Sequence, residues 1–337
     1  MTTEPTSAPT SAPRERGWGR VLAALALVLS LGSTFGPVDD PLLLLIAVLA
    51  GLMVAAWRFG GSAFSAVAWT ALVIWSLSQA PGATRGLQAI EAGFALILGA
   101  TFGTVALVRP AAAFFGRAMA TIGVSTALIA LLVQGLGPGL PKAGGLIREQ
   151  YATMAQQSAQ AFVRVMGTAR TASPEAERVA AETRAFADLW QERAPAVGAT
   201  LAPALLALEA LAVLALGWAL FHRLSRTRVG PPLARLAEFR FPDPLVWGIV
   251  VGFALLVVPG LAPMRGVAAN LLVFFGALYA VRGIGVLWFF LTPGPVTTVL
   301  AVLIGSFFMT AVVPTAACLG LSDTWIDWRR RATAPTP

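Results

Sequence analysis

Charged residues, cysteine and histidine are all scarce in this 337-residue chain, and each scarcity excludes a class of protein. Asp, Glu, Lys and Arg make up 12% of the residues, against roughly 25% in ordinary soluble domains, so water alone could not solvate the surface. One cysteine, Cys318, cannot form an intrachain disulfide. A zinc site built mainly from His and Cys is excluded too, because the chain has only one histidine and one cysteine and such a site needs three or four ligands. His222 lies where an apolar block meets Arg223, which indicates an interfacial position.

Phosphate-binding loops are also absent, since no Gly-rich run ends in Lys followed by Ser or Thr. The chain therefore does not use ATP by itself. We expect no metal, no cofactor and no enzymatic activity. Nor do we expect nucleic-acid binding, because the 24 Lys and Arg residues lie mostly at the edges of apolar blocks and not along one soluble face.

Apolar residues account for 57% of the chain and fall into blocks close to the roughly 20 residues that cross a bilayer. The first block, with a basic flank, would also fit a cleaved signal peptide, but a second block follows at once and favours a retained helix. We predict an all-α, polytopic transmembrane helical bundle with about nine membrane segments: 20–36, 41–57, 62–79, 87–108, 114–135, 197–221, 244–261, 267–291 and 296–319.

A polar region between the fifth and sixth blocks predicts an extramembrane amphipathic helical hairpin. Its second helix is expected to begin near Ser173, with Pro174 at the first helical position. Apolar residues recur at helical spacing in two stripes: Ile147, Tyr151, Met154, Ser158, Phe162 and Val165, then Val179, Thr183, Phe186, Leu189 and Trp190. The expected organisation is a disordered tail at 1–17, membrane helices at 18–136, the hairpin at 137–196, membrane helices at 197–321 and an interfacial tail at 322–337.

Two charged residues lie well inside apolar blocks, where a charge costs on the order of 3 kcal/mol. Glu209 is near the middle of the sixth block and Arg282 is within the eighth. Their similar depths predict an intramembrane ion pair, and a role in binding a substrate or coupling ion is the alternative.

The C-terminal run from Gly320 to Arg331 is the most distinctive string in the sequence. Asp323 and Asp327 are four residues apart and would share a helix face. The neighbouring tryptophans Trp325 and Trp328 suit the headgroup level of a membrane. The run predicts a capped interfacial turn in which Asp327 pairs with the arginines that follow it.

With residues 239–245 (FRFPDPL), this run resembles the YybS-like family of uncharacterised bacterial membrane proteins. The family ends in Gly-x-x-Asp-x-x-x-Asp-aromatic-Arg, and the matching residues here are Gly320, Asp323, Asp327, Trp328 and Arg329. The resemblance covers most of residues 20–331. The family is similar to the substrate-capturing subunits of energy-coupling-factor transporters, which bind vitamins or metal ions and borrow ATPases from a shared module. This resemblance implies small-molecule uptake, but it does not identify any ligand-binding residue in this chain.

The sequence therefore predicts a bacterial inner-membrane protein that is a substrate-binding component of small-molecule uptake, with the lipid bilayer and an ATPase module as partners. The alternative is a non-transporting structural or interaction protein of the envelope, whose hairpin docks a partner protein. Uptake predicts a polar-lined cavity within the membrane, whereas the alternative predicts a solid bundle and a partner surface on residues 142–195. A third alternative is an intramembrane enzyme that uses Glu209 or the two C-terminal aspartates.

Orientation follows from the distribution of positive charge. A cytoplasmic N-terminus places on the inner side the basic residues Arg14, Arg16, Arg20, Arg58, Arg109, Arg117, Arg223, Arg226, Arg228, Arg235 and Arg240. The hairpin is then external, and nine crossings would leave Arg329–Arg331 outside as well. Because that tail is basic, we expect one segment, 41–57 or 244–261, to be re-entrant or interfacial.

Cysteine labelling checks this orientation. In a Cys318→Ser background, an impermeant maleimide added to intact cells should label Ser173→Cys, whereas Thr227→Cys should react only after permeabilisation. The opposite pattern at these two positions would overturn the predicted topology.

Overall fold

The computed structural model describes residues 17–35, 37–38, 40–79, 86–167, 174–227 and 229–333. Residues 1–16 of the expected tail at 1–17 and the expected helix start at Ser173 therefore lie outside the described residues. Within these ranges the chain forms α-helices, short 3₁₀ turns and loops, and no strand. The helices are α1 (Trp18–Phe35), α2 (Pro41–Arg58), α3 (Ala63–Gln79), α4 (Gly86–Val108), α5 (Phe114–Gly135), α6 (Leu140–Gly167), α7 (Pro174–Leu224), α8 (Val246–Val257), α9 (Arg265–Leu291), α10 (Pro295–Phe307), α11 (Met309–Ile326) and α12 (Trp328–Thr333).

The predicted all-helical class is confirmed, but the expected nine crossings are not. By length and composition, five helical stretches of the described chain can span a bilayer, and a sixth if a bent pair counts as one span. Helices α3 and α8 are apolar but short. Helix α2 is the most enclosed candidate span, and of the two segments expected to be re-entrant or interfacial, 244–261 is the one that contains only a 12-residue helix.

The ninth apolar block is not one straight helix. It breaks at Phe308, and α10 and α11 are bent by 109° relative to each other. Helix α10 leaves apolar side chains exposed along most of its length, including Val296 and Phe307. The apolar run is long enough to cross a bilayer, so only the backbone geometry identifies the break.

Helices α6 and α7 cover the two helices of the predicted hairpin, and the second of them continues without a break into the sixth apolar block. Helix α7 is 51 residues long and joins the hairpin to the sixth apolar block, so the boundary expected at 196/197 falls inside it. At about 1.5 Å per residue it is roughly 76 Å long, more than twice the thickness of a hydrocarbon core. Tyr151 of α6 is buried as predicted, and a Cβ at Gly198 of α7 would lie 2.5 Å from its ring. Phe186 and Trp190, by contrast, are exposed.

Contacts divide the chain into two compact units, residues 1–202 with 209–233 (unit 1) and residues 203–208 with 234–337 (unit 2). In unit 1, α2 packs against α1, α3 and α4, and α4 packs against α5 and α6. Asp40 caps α2 by accepting hydrogen bonds from the Leu42 and Leu43 N–H groups at 3.0 and 3.2 Å. In unit 2, α9 is central and contacts α8, α11 and the 3₁₀ turn Leu236–Glu238.

Close approach of α2 and α4 depends on residues without a side chain. A Cβ at Gly51 would collide with the backbone carbonyl of Gly99, and one at Gly99 would collide with the carbonyl of Ala47. Within lipid there is no hydrophobic gain from bringing two apolar helices together, so van der Waals contact at such positions stabilises the bundle.

Substitution at this crossing should separate the helices. We expect Gly51→Ala to lower the free energy of unfolding by about 1–3 kcal/mol, because the Cβ meets rigid backbone. Gly123→Ala on α5 is the matched control, since nothing lies within 4 Å of a Cβ there and alanine favours a helix by up to about 1 kcal/mol. Thermal unfolding in detergent measures both, and equal effects would contradict close packing at Gly51.

Candidate functional site

Unit 2 contains a buried cluster of one carboxylate and two guanidinium groups, Asp323, Arg282 and Arg329, here called the aspartate clamp. Asp323 has a relative exposure of 0%. Its Oδ2 accepts hydrogen bonds from Arg282 Nε at 3.0 Å and from Arg329 Nη2 at 2.7 Å. Arg282 Nη2 also donates to the Asp323 carbonyl at 3.2 Å, and Nη1 donates to Asp243 Oδ1 at 3.2 Å. Each of the two cations therefore has a carboxylate partner.

Two glycines allow the helices that carry the clamp to meet. A Cβ at Gly320 of α11 would overlap the carbonyl of Tyr279, and a Cβ at Gly283 of α9 would overlap the carbonyl of Ala316. Antiparallel α9 and α11 are thus in backbone contact just before Asp323. This contact explains why Gly320 stands three residues before the aspartate in the C-terminal motif.

Arg329 joins the C-terminal segment to the loop that precedes α8. Its Nη1 donates to the carbonyls of Ala237 and Phe239 at 2.9 and 3.1 Å. The basic tail therefore lies at the same end of unit 2 as Arg240, so the placement of the tail on the side opposite Arg240, which nine crossings required, is corrected. The break between α10 and α11 means that the ninth apolar block is not one straight crossing.

The motif residues Asp327 and Trp328 form a more exposed rim beside the aspartate clamp in unit 2. Asp327 closes α11 in the left-handed conformation, with φ 47°. Its carboxylate pairs with Arg240 at 2.6 Å and accepts the Arg330 backbone N–H at 3.4 Å, so its ion-pair partner is Arg240, whereas the sequence predicted the arginines that follow it. Trp328 Nε1 donates to Ser322 Oγ at 3.1 Å.

Arg282 has carboxylate partners of its own, so it does not require the predicted pairing with Glu209. Arg282 is compensated by Asp323 and Asp243 inside unit 2, and Glu209 belongs to unit 1. No contact tests the pairing directly, and it stays a prediction. Arg282 has no need of it.

Glu209 of α7 interacts electrostatically with Glu91 of α4 and with Tyr151 of α6, all within unit 1, and these three residues are here called the acidic site. Glu209 is 8% exposed, and neither of its carboxylate oxygens makes a hydrogen bond with a described residue. The backbone N–H of Val38 lies near the Glu209 carboxylate. Burial, and secondarily the charge of Glu209, raise the pKa of Tyr151 to about 12, so the phenol stays protonated at neutral pH.

The family model for DUF2232, described as a predicted membrane protein, matches residues 24–324. The chain belongs to the DUF2232 family. The match includes both carboxylates of the acidic site and the Asp323–Arg282 pair, but it ends before Asp327 and Arg329. No curated protein and no solved structure matches the chain. The family description agrees with a multispanning membrane protein and assigns no activity.

Two polar groups in this DUF2232 protein, Arg117 and His222, are buried although the sequence did not predict it. Arg117, counted above among the basic residues of the inner side, is buried in α5, where it lies 4.8 Å from the Trp218 ring and donates to the carbonyls of Pro110 and Val229. His222, predicted at the interface, is buried too, with its ring nitrogens 3.0 and 3.2 Å from the carbonyls of Trp218 and Gly230. The spacing of Trp218 and His222, one helical turn apart, was the available signal.

The two motif aspartates should differ sharply in their effect on stability. We expect Asp323→Ala to lower the free energy of unfolding by about 3–5 kcal/mol, because it leaves Arg282 and Arg329 buried without a carboxylate. Asp327→Ala, at the exposed rim, should cost at most about 1 kcal/mol. Unfolding in detergent measures both, and a loss at Asp327 equal to that at Asp323 would contradict the clamp.

The rim pair should also respond to pH. A hydrogen bond from Arg240 lowers the pKa of Asp327 below its ordinary value. The stabilisation from this pair is therefore present above the unfolded pKa of about 3.9 and is lost as pH falls through the lower folded value. The coupling energy in an Asp327→Asn, Arg240→Gln double-mutant cycle should accordingly shrink in acid and stay constant above about pH 5.

Proposed function

We propose that this membrane protein is a substrate-binding component for the uptake of a small organic cation, with Glu209 as the carboxylate that binds it. The observation that carries the proposal is the state of Glu209. It is a buried carboxylate in an apolar stretch of a spanning helix, and neither oxygen accepts a hydrogen bond from a described residue.

A carboxylate in this position is costly unless something compensates it. Insertion of an acidic residue at the centre of a membrane helix costs on the order of 3 kcal/mol, and intramembrane ionisable residues commonly mark substrate or ion pathways. A buried charge can also be compensated inside the protein. Arg282 and Arg329 are examples, since both pair with Asp323. Glu209 has no such ion pair among the described residues, so a cation that comes and goes is its natural counter-charge.

The surroundings of Glu209 favour an organic cation over a metal ion. Among the described residues, no group of three or more His, Cys, Asp and Glu side chains could hold a metal ion. The acidic site instead combines two carboxylates with the phenol of Tyr151. Carboxylates form charge-assisted hydrogen bonds with an ammonium group.

The depth of the site also fits uptake. Glu91 is 17 residues before the end of α4 at Val108, and Glu209 is 15 residues before the end of α7 at Leu224. At about 1.5 Å per residue, both carboxylates lie roughly 23–26 Å from the ends of their helices. Those ends are cytoplasmic in the predicted orientation. The acidic site is then close to the outer face of a hydrocarbon core about 30 Å thick, where a solute from outside can enter.

Transport against a gradient would need an energy source from another protein, because this chain has no phosphate-binding loop. The resemblance to substrate-capturing subunits implies an ATPase module as that partner. Co-purification from native membranes should then recover an ATPase.

The alternative, an interaction protein of the envelope, has one specific observation in its favour. Phe186, Leu189 and Trp190 are exposed on the part of α7 that belongs to the hairpin. A protein partner could cover them. If this is the function, Trp190→Ser would abolish recovery of an envelope partner, whereas Glu209→Gln would leave that recovery unchanged.

A ligand screen tests the proposed cation site. The purified protein is heated in detergent with a panel of primary, secondary and quaternary organic amines. At 100-fold excess over its dissociation constant, a ligand stabilises the folded state by about 2.7 kcal/mol, which is readily seen as a raised melting temperature. We expect at least one amine to raise it in the wild type and to have no effect on Glu209→Gln.

Glu149→Gln is the matched control, because it removes an exposed carboxylate from α6 of the same unit. It should keep the ligand-induced shift. A shift of equal size in Glu209→Gln, or a complete lack of response to the amines in the wild type, would contradict a cation site at Glu209.

A further inference from the structure

The three residues of the acidic site supply no positive charge of their own. Glu91 of α4 is 9% exposed and interacts electrostatically with Glu209 of α7, which is 8% exposed. Tyr151 of α6 is a neutral phenol at neutral pH. Two carboxylates that interact in a low-dielectric interior repel each other, so ionising both of them is unfavourable.

Glu209 also has no cation close to it along its own helix. It is the only charged residue between Arg193 and His222, and both of these lie at least 13 residues, roughly 20 Å, away. Arg117, a buried guanidinium of unit 1, is engaged elsewhere, since it donates to backbone carbonyls and lies 4.8 Å from the ring of Trp218. Trp218 is nine residues, roughly 14 Å, further along α7 than Glu209. Arg117 therefore does not neutralise Glu209.

Both carboxylate oxygens of Glu209 are shielded from water as well. Neither accepts a hydrogen bond from a described residue. The backbone N–H of Val38 lies near the carboxylate, but one amide dipole does not replace the hydration that an anion loses on burial. A carboxyl group in such a place takes up a proton and becomes neutral. The shielded position of Glu209 is thus physically reasonable for a carboxylic acid and costly for a carboxylate.

We propose that the acidic site binds a proton at neutral pH and exchanges it for the organic cation. This inference rests on the proposed function and adds the regulation of the same site. In the closed form shown by the structure, Glu209 carries the proton. When the site opens to admit an ammonium ion, the O–H bond of Glu209 breaks, the proton passes to water, and the carboxylate pairs with the ammonium. One positive charge leaves as another arrives, so the net charge of the site is unchanged.

Exchange makes binding of the cation depend on pH. A proton and an ammonium ion compete for one carboxylate, so the dissociation constant should fall roughly tenfold for each unit of rising pH while Glu209 is the acid. Tyr151 does not add to this dependence, because it stays neutral at neutral pH. Glu91 favours a retained proton on Glu209, because its negative charge opposes a second one nearby.

Infrared spectroscopy of the full chain in detergent tests the resting proton. At neutral pH the wild type should show the C=O stretch of a protonated carboxyl group, and Glu209→Gln should lack it. Glu149→Gln is the matched control, because it removes an exposed and ionised carboxylate from α6, and it should keep the band. Identical carboxyl bands in the wild type and Glu209→Gln would overturn the exchange. The thermal shift with amines, and with it the proposed function, would be unaffected by that result.

Calorimetry in two buffers of different ionisation enthalpy measures the exchange itself. The probes are the amines that raise the melting temperature in the screen above, with n-butylammonium and tetramethylammonium chlorides included. Tetramethylammonium keeps its charge at every pH, so any pH dependence of its binding belongs to the protein. We expect about one proton to be released for each ammonium bound. Binding without proton release would overturn the exchange and leave the cation site in place, whereas a lack of binding by every amine would contradict the proposed function itself.

Folding stability gives an independent readout, because glutamine is a neutral isostere of the protonated acid. A carboxyl group that is neutral in the folded state contributes stability below the unfolded pKa of Glu, about 4.3, and the contribution is lost as rising pH forms the buried anion. The melting temperature of the wild type should therefore fall relative to that of Glu209→Gln between about pH 5 and about pH 9. Parallel pH dependences of the two proteins would overturn the inference.

Glu91→Gln is the second variant, for use if Glu209→Gln does not fold. It removes the neighbouring negative charge, so Glu209 should ionise more readily and the infrared band should disappear at a lower pH than in the wild type. A band that disappears at the same pH in both proteins would count against a proton held at Glu209 by its carboxylate neighbour.

Discussion

A bilayer core contains no water to bond with exposed peptide groups, and this constraint decides most of the structure. Every N–H and C=O in the apolar blocks must be satisfied within its own segment, so each block becomes a helix. Water exclusion also removes the hydrophobic force between apolar helices, and close contact takes its place. The glycine contacts of Gly51 with Gly99 and of Gly283 with Gly320 are the result.

The same constraint makes every buried charge informative. The chain handles its charges in two different ways. In unit 2, Asp323 receives two arginines, and Arg282 reaches a second aspartate, so the cations are neutralised by the protein. In unit 1, the Glu209 carboxylate lies in a spanning helix without a hydrogen bond to a described residue. The first arrangement stabilises the fold, and the second is the one that the proposed cationic substrate would complete.

The clamp also connects segments that are far apart in the sequence. Arg282 lies in the middle of α9, Asp323 near the end of α11, and the carbonyls of Ala237 and Phe239 in the loop before α8. A single carboxylate thus determines that the basic tail returns to the Arg240 end of unit 2. The C-terminal motif is explained by this arrangement, since each of its residues has a contact there.

Helical class, membrane setting and the segments themselves could be read from composition and block length, because these depend only on local hydropathy and backbone bonding. Glu209, Arg282 and the C-terminal motif could be found as well, because a charge or a distinctive string in an apolar setting is visible in one dimension. The bend at Phe308, the unbroken 51-residue α7 and the partners of Arg282 could not. They depend on which helix faces which, and a charge in an apolar block fits any partner at the same depth. Only the backbone contact of α9 with α11 decided that Arg282 meets Asp323.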